Sequence, residues 1–213
     1  MLSFFRLEQI KHDLHSDQQE VRGAAMQRLH LWAKADRGIH SAALPIFWAA
    51  IETEQDPWTA TTAARGIETV AGPAEGQRAC HALLNHSQPK MVSRVVLSLV
   101  DVSNIPLLLR LLNEHQDVRV QTAVIRTLGR MQNPVVLPVI VERLASPDLR
   151  AQAIQALADL EDPQAIPFLE PYLNDATELW EEDNHGPIVR VCDLANTTIQ
   201  HLRLYPNLKK PGI

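Results

Sequence analysis

The chain has only two cysteines among its 213 residues, Cys80 and Cys192, and they stand far apart. A disulfide framework is therefore not what organises it, and a reducing compartment, the cytoplasm, is expected. Glycine is also scarce, at eight. The richest stretch, "GIETVAGPAEG", has no flanking strand pattern, which excludes a phosphate cradle. Neither H-E-x-x-H nor G-x-S-x-G occurs, so two common catalytic signatures are absent. An excess of basic charge is missing too. Twenty Lys and Arg face 25 Asp and Glu, for a net charge of -5 and a pI near 6.0. A general nucleic-acid binder needs the opposite sign. Finally, no apolar run is long enough to cross a bilayer. The apolar start of "MLSFFRLEQIKHD" is cut by Arg6, Glu8, Lys11 and Asp13, so it reads as neither signal peptide nor membrane span.

What remains is a chain with 46% hydrophobic and only 5% aromatic residues, which favours helices packed by small and branched side chains. Its 14 prolines are expected to punctuate helices rather than interrupt them. The segment "DVRVQTAVIRTLGRM", Asp117–Met131, is followed by "QNPVVLPVIVERL"; soon after comes "PDLRAQAIQALADLEDPQAIPFLEPYL". Matching by identity sets Asp117 against Asp148 and Arg119 against Arg150. Apolar residues recur at helical spacing: Val120, Val124, Leu128 and Met131, then Leu149, Ala153, Leu157 and Leu160. Each first helix breaks at Asn133-Pro134 or Asp162-Pro163. Each second helix restarts at an apolar-Pro pair, Leu137-Pro138 or Ile166-Pro167, and is expected to be apolar nearly all round.

Looser versions flank these. "PKMVSRVVLSLV" precedes "IPLLLRLL", "DPWTATTAARGIETV" precedes "GPAEGQRACHALL", and "EVRGAAMQRLHLW" precedes "ALPIFWAAI". "PIVRVCDLANTTIQHL" makes one more first helix. Arg22, Trp58, Lys90, Arg119, Arg150 and Arg190 are then equivalent, in steps of 36, 32, 29, 31 and 40. A period near thirty with two helices per unit means a solenoid. Such a hairpin cannot bury its apolar sides alone, and stacked neighbours bury them for it. A residue that recurs in every good unit is structural, so the repeated arginine is expected to hold the stack together.

The "D-x-VR-x-x-A…L-G" first helix and "(L/I)P-x-L…L" second helix resemble HEAT-like repeats, in particular the short repeats named after phycobilisome lyases. The resemblance covers roughly 17–204. It implies an all-α fold, a right-handed α-α superhelix (a HEAT-like solenoid) of about five helical hairpins. It also implies that the Asp caps the first helix and that the Arg stitches adjacent units. Asp117, Arg119, Asp148, Arg150 and Arg22 match that pattern, whereas Trp58 and Lys90 depart from it. The chain is expected to form a single domain, 1–213: residues 1–16 are the N-terminal cap, 17–204 the repeats and 205–213 the tail.

Residues that could carry chemistry have plainer roles. His12 and His15 sit three apart on a helix, too few for a metal site by themselves. Cys80 and His81 are sequence neighbours, which point apart on a helix and make a poor nucleophile pair. Cys192 occupies a small-residue packing position. Trp32, Trp48 and Trp58 fill an irregular end of the stack; their other reading is a stacking wall for a flat ligand. No cofactor, metal or catalytic residue is assigned, and the chain is read as not an enzyme.

Charge is distributed unevenly. Residues 151–189 hold no Lys or Arg but nine acids, and the remainder carries 20 − 16 = +4. The acidic block includes "NDATELWEEDNHG", an insertion that lengthens the last repeat step. It reads either as a solvated loop or as a recognition loop with Trp180 as anchor. Its spacing does not fit an EF-hand calcium loop. The expectation is a protein-binding scaffold whose partner, with a basic surface, meets the concave face lined by second helices. Arg110, Glu114, Glu142, Arg143, Glu170 and Tyr172 are the candidates there, with Trp180, Glu181, Glu182 and Asp183 on the loop. No nucleic acid or membrane is expected. The alternative is a bilin (tetrapyrrole) lyase-like or pigment-handling protein, on the repeat subtype alone. A HEAT-like DNA glycosylase comes third, because the basic surface such enzymes use is missing.

Overall fold

The structure, a computed structural model, describes residues 2–179 and 189–208, with side chains from 5 to 179 and from 189 to 204. The chain divides into two compact units, Met1–Val95 and Val96–Ile213. The first contains α1 (Leu2–Leu14), α2 (Gln19–Ala35), α3 (His40–Thr53), α4 (Pro57–Ala71), α5 (Pro73–Leu84) and nearly all of α6 (Pro89–Val96). The second contains α7 (Ile105–Glu114), α8 (Val118–Arg130), α9 (Leu137–Glu142), α10 (Pro147–Leu160) and α11 (Ile166–Leu169). It ends with the two-residue strands β1 (Glu178–Leu179) and β2 (Val189–Arg190) and with α12 (Val191–Leu208). The all-α helical-repeat class read from the sequence is the class observed. No helix among the described residues is long and apolar enough to cross a membrane.

One local device starts every second helix of the regular hairpins. Asp36, Asp101, Asn133 and Asp162 each accept, on Oδ1, the backbone N–H two residues on, at 2.8, 2.8, 3.1 and 2.9 Å. That bond bends the chain into one 3₁₀ turn, from which α3, α7, α9 and α11 follow. Short Asx side chains suit this turn because they reach their own nearby backbone. In Asn133 and Asp162 the following proline also keeps the residue extended, with ψ of 117° and 111°. Most prolines open helices as expected; Pro45 lies inside α3, because that helix starts a turn earlier, at His40.

The first helices carry the wider buried surface. In α8, Val120, Ala123, Val124, Ile125, Thr127, Leu128 and Gly129 are buried, whereas α9 buries Leu137 and Ile140 alone. The second helices are apolar along most of their length, as in "LPVIVE", but they are not buried on both sides as stacking leads one to expect. The reason lies in the packing: α10 is flanked by α8, α9 and α12, and α4 by α2, α3 and α5. A second helix has fewer neighbours and keeps one face in water. Contact between first helices is close enough to exclude side chains. A Cβ on Gly129 of α8 would stand 2.5 Å from the Ala156 carbonyl oxygen of α10 and 2.8 Å from its Cα; the contact of α4 with the second helix α3 is as close, a Cβ on Gly66 standing 2.4 Å from the Phe47 ring.

Burial also corrects the repeat alignment. Val120, Val124, Ile125, Thr127, Leu128 and Met131 correspond to Leu149, Ala153, Ile154, Ala156, Leu157 and Leu160, all buried. This sets Gln121, not Arg119, opposite Arg150, and Ser146 opposite Asp117. Both helices end on a left-handed residue at the matching place, Gln132 (φ 50°) and Glu161 (φ 58°). Matching by identity is off by two residues: it equates the exposed Arg119 with Arg150, which is largely buried, whereas the buried apolar stripe cannot shift. Asp117 caps α8, accepting from the Arg119 N–H at 2.9 Å, but Asp148 lies within the first turn of α10 and caps nothing.

In the corrected register the expected stitch is clear at Arg22, Gln121 and Arg150. Each side chain donates to the carbonyl six residues back: Arg22 Nη1 to Ser16 at 3.0 Å, Gln121 Nε2 to His115 at 2.9 Å, and Arg150 Nε to Leu144 at 2.9 Å. Each arginine also reaches the segment before a later first helix. Arg22 grips both Glu54 oxygens at 3.0 Å, and Arg150 Nη1 donates to Asp175 at 3.0 Å. Glu54 is buried and also accepts the Gln55 and Asp56 amides at 2.9 Å. Burial opposes its ionisation, but the Arg22 fork and the two amides outweigh this and hold the carboxyl below its ordinary value. Arg119 instead pairs with neighbouring Asp117, at 3.2 Å.

Two outcomes follow for unfolding experiments. Gly129→Ala forces backbone apart and should cost about 2–3 kcal/mol in urea denaturation; no loss would mean that α8 and α10 are further apart than described. Arg22→Ala leaves Glu54 buried without its cation and should cost about 3 kcal/mol at neutral pH. Because Glu54 is more acidic folded than unfolded, its contribution is full above the ordinary carboxylate range, about 4.3, and is lost as pH falls through the lowered folded value. The stability gap between wild type and Glu54→Gln should therefore narrow on acidification.

Candidate partner interface

The second helices of unit 2 form an edge on three successive hairpins. Ile105, Leu108 and Leu112 of α7 turn inward, as do Leu137, Ile140 and Leu144 of α9 and its 3₁₀ extension, and Leu169 of α11. With one apolar stripe spent inward, the opposite side of each helix faces water. Arg110 and Glu114 lie on α7, Glu142 ends α9, Arg143 opens the 3₁₀ turn after it, and Glu170 and Tyr172 lie on the 3₁₀ stretch after α11.

These six differ in what they do inside the chain. Arg110 and Glu114 form a loose pair at 3.9 Å, with side chains 64% and 67% exposed, and such pairs contribute little to stability. Glu142 is similarly open, 3.5 Å from Arg143. Glu170 is exposed and has no partner among the described residues. Arg143 and Tyr172, by contrast, are occupied. Arg143 Nη2 donates to Asn113 Oδ1 at 3.1 Å, tying α9 to α7. The Tyr172 hydroxyl donates to the Leu144 carbonyl at 3.1 Å, and Arg150 lies over its ring at 5.3 Å. Among these six, only Arg143 and Tyr172 tie one described element to another, whereas Arg110, Glu114, Glu142 and Glu170 make no such tie among the described residues.

Trp180, Glu181, Glu182 and Asp183 lie outside the described residues. The two ends of the acidic insertion are described, and they are pinned together. Glu178 pairs with Arg190 and Leu179 with Val189, antiparallel. Below them the Val191 N–H donates to the Thr177 carbonyl at 3.0 Å, and the Cys192 N–H to that of Asp175 at 2.9 Å. Asp175 also accepts from the Thr177 amide at 3.0 Å and from Arg150. The Thr177 hydroxyl and amide, with the Arg150 cation, hold its carboxyl below the ordinary range despite some desolvation. Arg190 lies in this small ladder, one residue before α12, whereas Arg22 and Arg150 lie inside the first turns of their helices, so its position does not match theirs. Reading the sequence missed Gln121 as a stitching residue, although its spacing from His115 equals that of Arg150 from Leu144.

The end of α1 and the residues after it line an open depression of about 600 Å³ formed by Glu8, Lys11, His12, His15, Ser16 and Asp17. His15 Nδ1 is 2.7 Å from the Lys11 carbonyl. No group of three His, Cys, Asp or Glu that could hold a metal occurs among the described residues.

A family profile of HEAT repeats matches residues 79–149 and, overlapping, 105–181. Over those residues the chain is built of HEAT-like repeats. No curated protein matches. Among solved structures, one engineered protein is similar at 18% identity with a TM-score of 0.47, over 93% of this HEAT-like chain and 97% of its own. A second engineered protein gives 18% and 0.45, over 92% of this chain and 58% of its own.

Among the described residues, Arg150 is the one side chain that binds both the Leu144 carbonyl at the second-helix edge and Asp175 at the base of the acidic insertion. Replacing it with Met should leave α8 protected but expose the insertion's base. Amide exchange at Val191 and Cys192 is expected to accelerate about tenfold or more. Unchanged exchange there would show that strand pairing alone closes the base.

Proposed function

We propose that the protein is a non-enzymatic interaction scaffold. Its partner is another protein with a basic surface, met through the second helices of unit 2 and through the acidic insertion. The observation that carries this reading is the row Arg110, Glu114, Glu142 and Glu170. These charges recur on the exposed side of three successive hairpins, and none is bound up in holding the stack. Residues 151–189 add nine acids and no basic residue, which biases the same unit toward a cationic partner. Rim charges of this kind mainly set association rate and selectivity, so the complex should form quickly and weaken with salt. Repeated helical hairpins suit the role because they present many side chains on a rigid frame.

The test compares wild type with Glu114→Lys/Glu142→Lys/Glu170→Lys and with Trp180→Ala/Glu181→Lys/Glu182→Lys, each confirmed to be folded, in tagged capture from host lysate followed by mass spectrometry. A basic protein held by wild type in low salt and lost by the helix variant is the expected result. Retention by both variants would remove these surfaces from the interface. Capture of a pigment with a sharpened, red-shifted absorption band, and of no protein, would replace the scaffold by tetrapyrrole handling.

A further inference from the structure

Among the described residues, an arginine lies over an aromatic ring and pairs with a carboxylate at two places. In the first unit Arg78 lies 5.0 Å over the Trp48 ring, and its Nη1 meets both Glu75 oxygens at 3.2 Å. In the second unit Arg150 lies over Tyr172 and binds Asp175. The arrangement satisfies a guanidinium in two ways: its central carbon lies over the ring's negative face while an Nη1–H group meets the acid.

A third ring has the carboxylates but no arginine. Trp58, on the first turn of α4, rests against Gly23 of α2, where a Cβ would stand 3.1 Å from its Cζ3. The ring is still 43% exposed. With Glu20, Gln27, Arg28 and Asp56 it lines an open groove of about 530 Å³, within the range of about 300–1,000 Å³ common for ligand sites. Two of the charges there are already committed. Asp56 accepts from Gln19 at 2.6 Å and from Thr59, and Arg28 is turned to Asp13 at 2.5 Å. Glu20 has no hydrogen-bond or ion-pair partner among the described residues, and no cation stands over Trp58 among them.

We propose that this groove receives an arginine side chain of a protein partner, with its guanidinium over Trp58 and paired with Glu20. The inference rests on the scaffold reading and gives it a second contact, in unit 1. Helix N-termini favour anions, and the first turns of α2 and α4 open here; Glu20 and Asp56 already supply that negative charge. Arginine fits better than lysine because only a planar guanidinium can both stack and fork.

The test needs no natural partner. The Trp58 indole N–H resonance, assigned by its loss in Trp58→Phe, is followed while the full chain is titrated with an acetylated, amidated Gly-Arg-Arg-Gly peptide. A saturable shift is expected with this peptide and none with norleucine in place of arginine. Glu20→Gln should weaken binding at least about threefold, while the loss of one exposed first-turn carboxylate from α2 should lower the melting temperature by no more than about a few degrees. No saturable shift, an equal response to norleucine, or unaltered affinity in Glu20→Gln overturns the proposal. A basic partner captured through the second helices, with no arginine response at Trp58, would leave the scaffold standing and remove this site alone.

Discussion

The contact between consecutive first helices is the one on which each unit depends. At α8 and α10 the backbones approach so closely that Gly129 has no room for a methyl group beside Ala156. Such an approach lets short helices bury a large share of their surface. Each fully buried Leu or Ile along the seam contributes about 1.5–3 kcal/mol, and Ile125, Leu128, Ile154 and Leu157 all belong to it. The second helices follow from this arrangement. Held by Asx turns against the next first helix, they need only one apolar stripe, and their other side is left for water or for another molecule.

Polar groups fall into two populations on the same physical ground. Arg22, Gln121, Arg150, Glu54 and Asp175 satisfy backbone groups between helices, where an unpaired carbonyl or amide would be costly. Arg110, Glu114, Glu142 and Glu170 satisfy nothing of that kind. Arginine is suited to the first task because one fork can serve a carbonyl, a carboxylate and a ring at once, as Arg150 does with Leu144, Asp175 and Tyr172. Where ring and acid stand without an arginine, as at Trp58 and Glu20, the same chemistry is open to a partner.

Much of this architecture could be read along the chain. The apolar spacing of Val120–Met131 and Leu149–Leu160, the Asn-Pro and Asp-Pro breaks, and the apolar-Pro restarts all mark helices that the structure contains. The repeat register was less legible. Asp117 and Arg119 look like Asp148 and Arg150, but identity at the surface is weaker information than burial, and the true correspondence is two residues away. The candidate charges were legible on second helices, where they lie, but the engagement of Arg143 and Tyr172 was not, since that depends on neighbours thirty or so positions away.

The sequence by itself determined the fold class, the hairpin unit, the turns that start the second helices and the uneven charge. These are local or compositional, set by side-chain period, backbone preference and counting. Only the tertiary structure decided which arginines stitch the stack, that first helices carry the wider buried face, and that Trp58 and Glu20 share a groove. Each of these depends on which helix lies beside which, and sequence spacing does not record that distance.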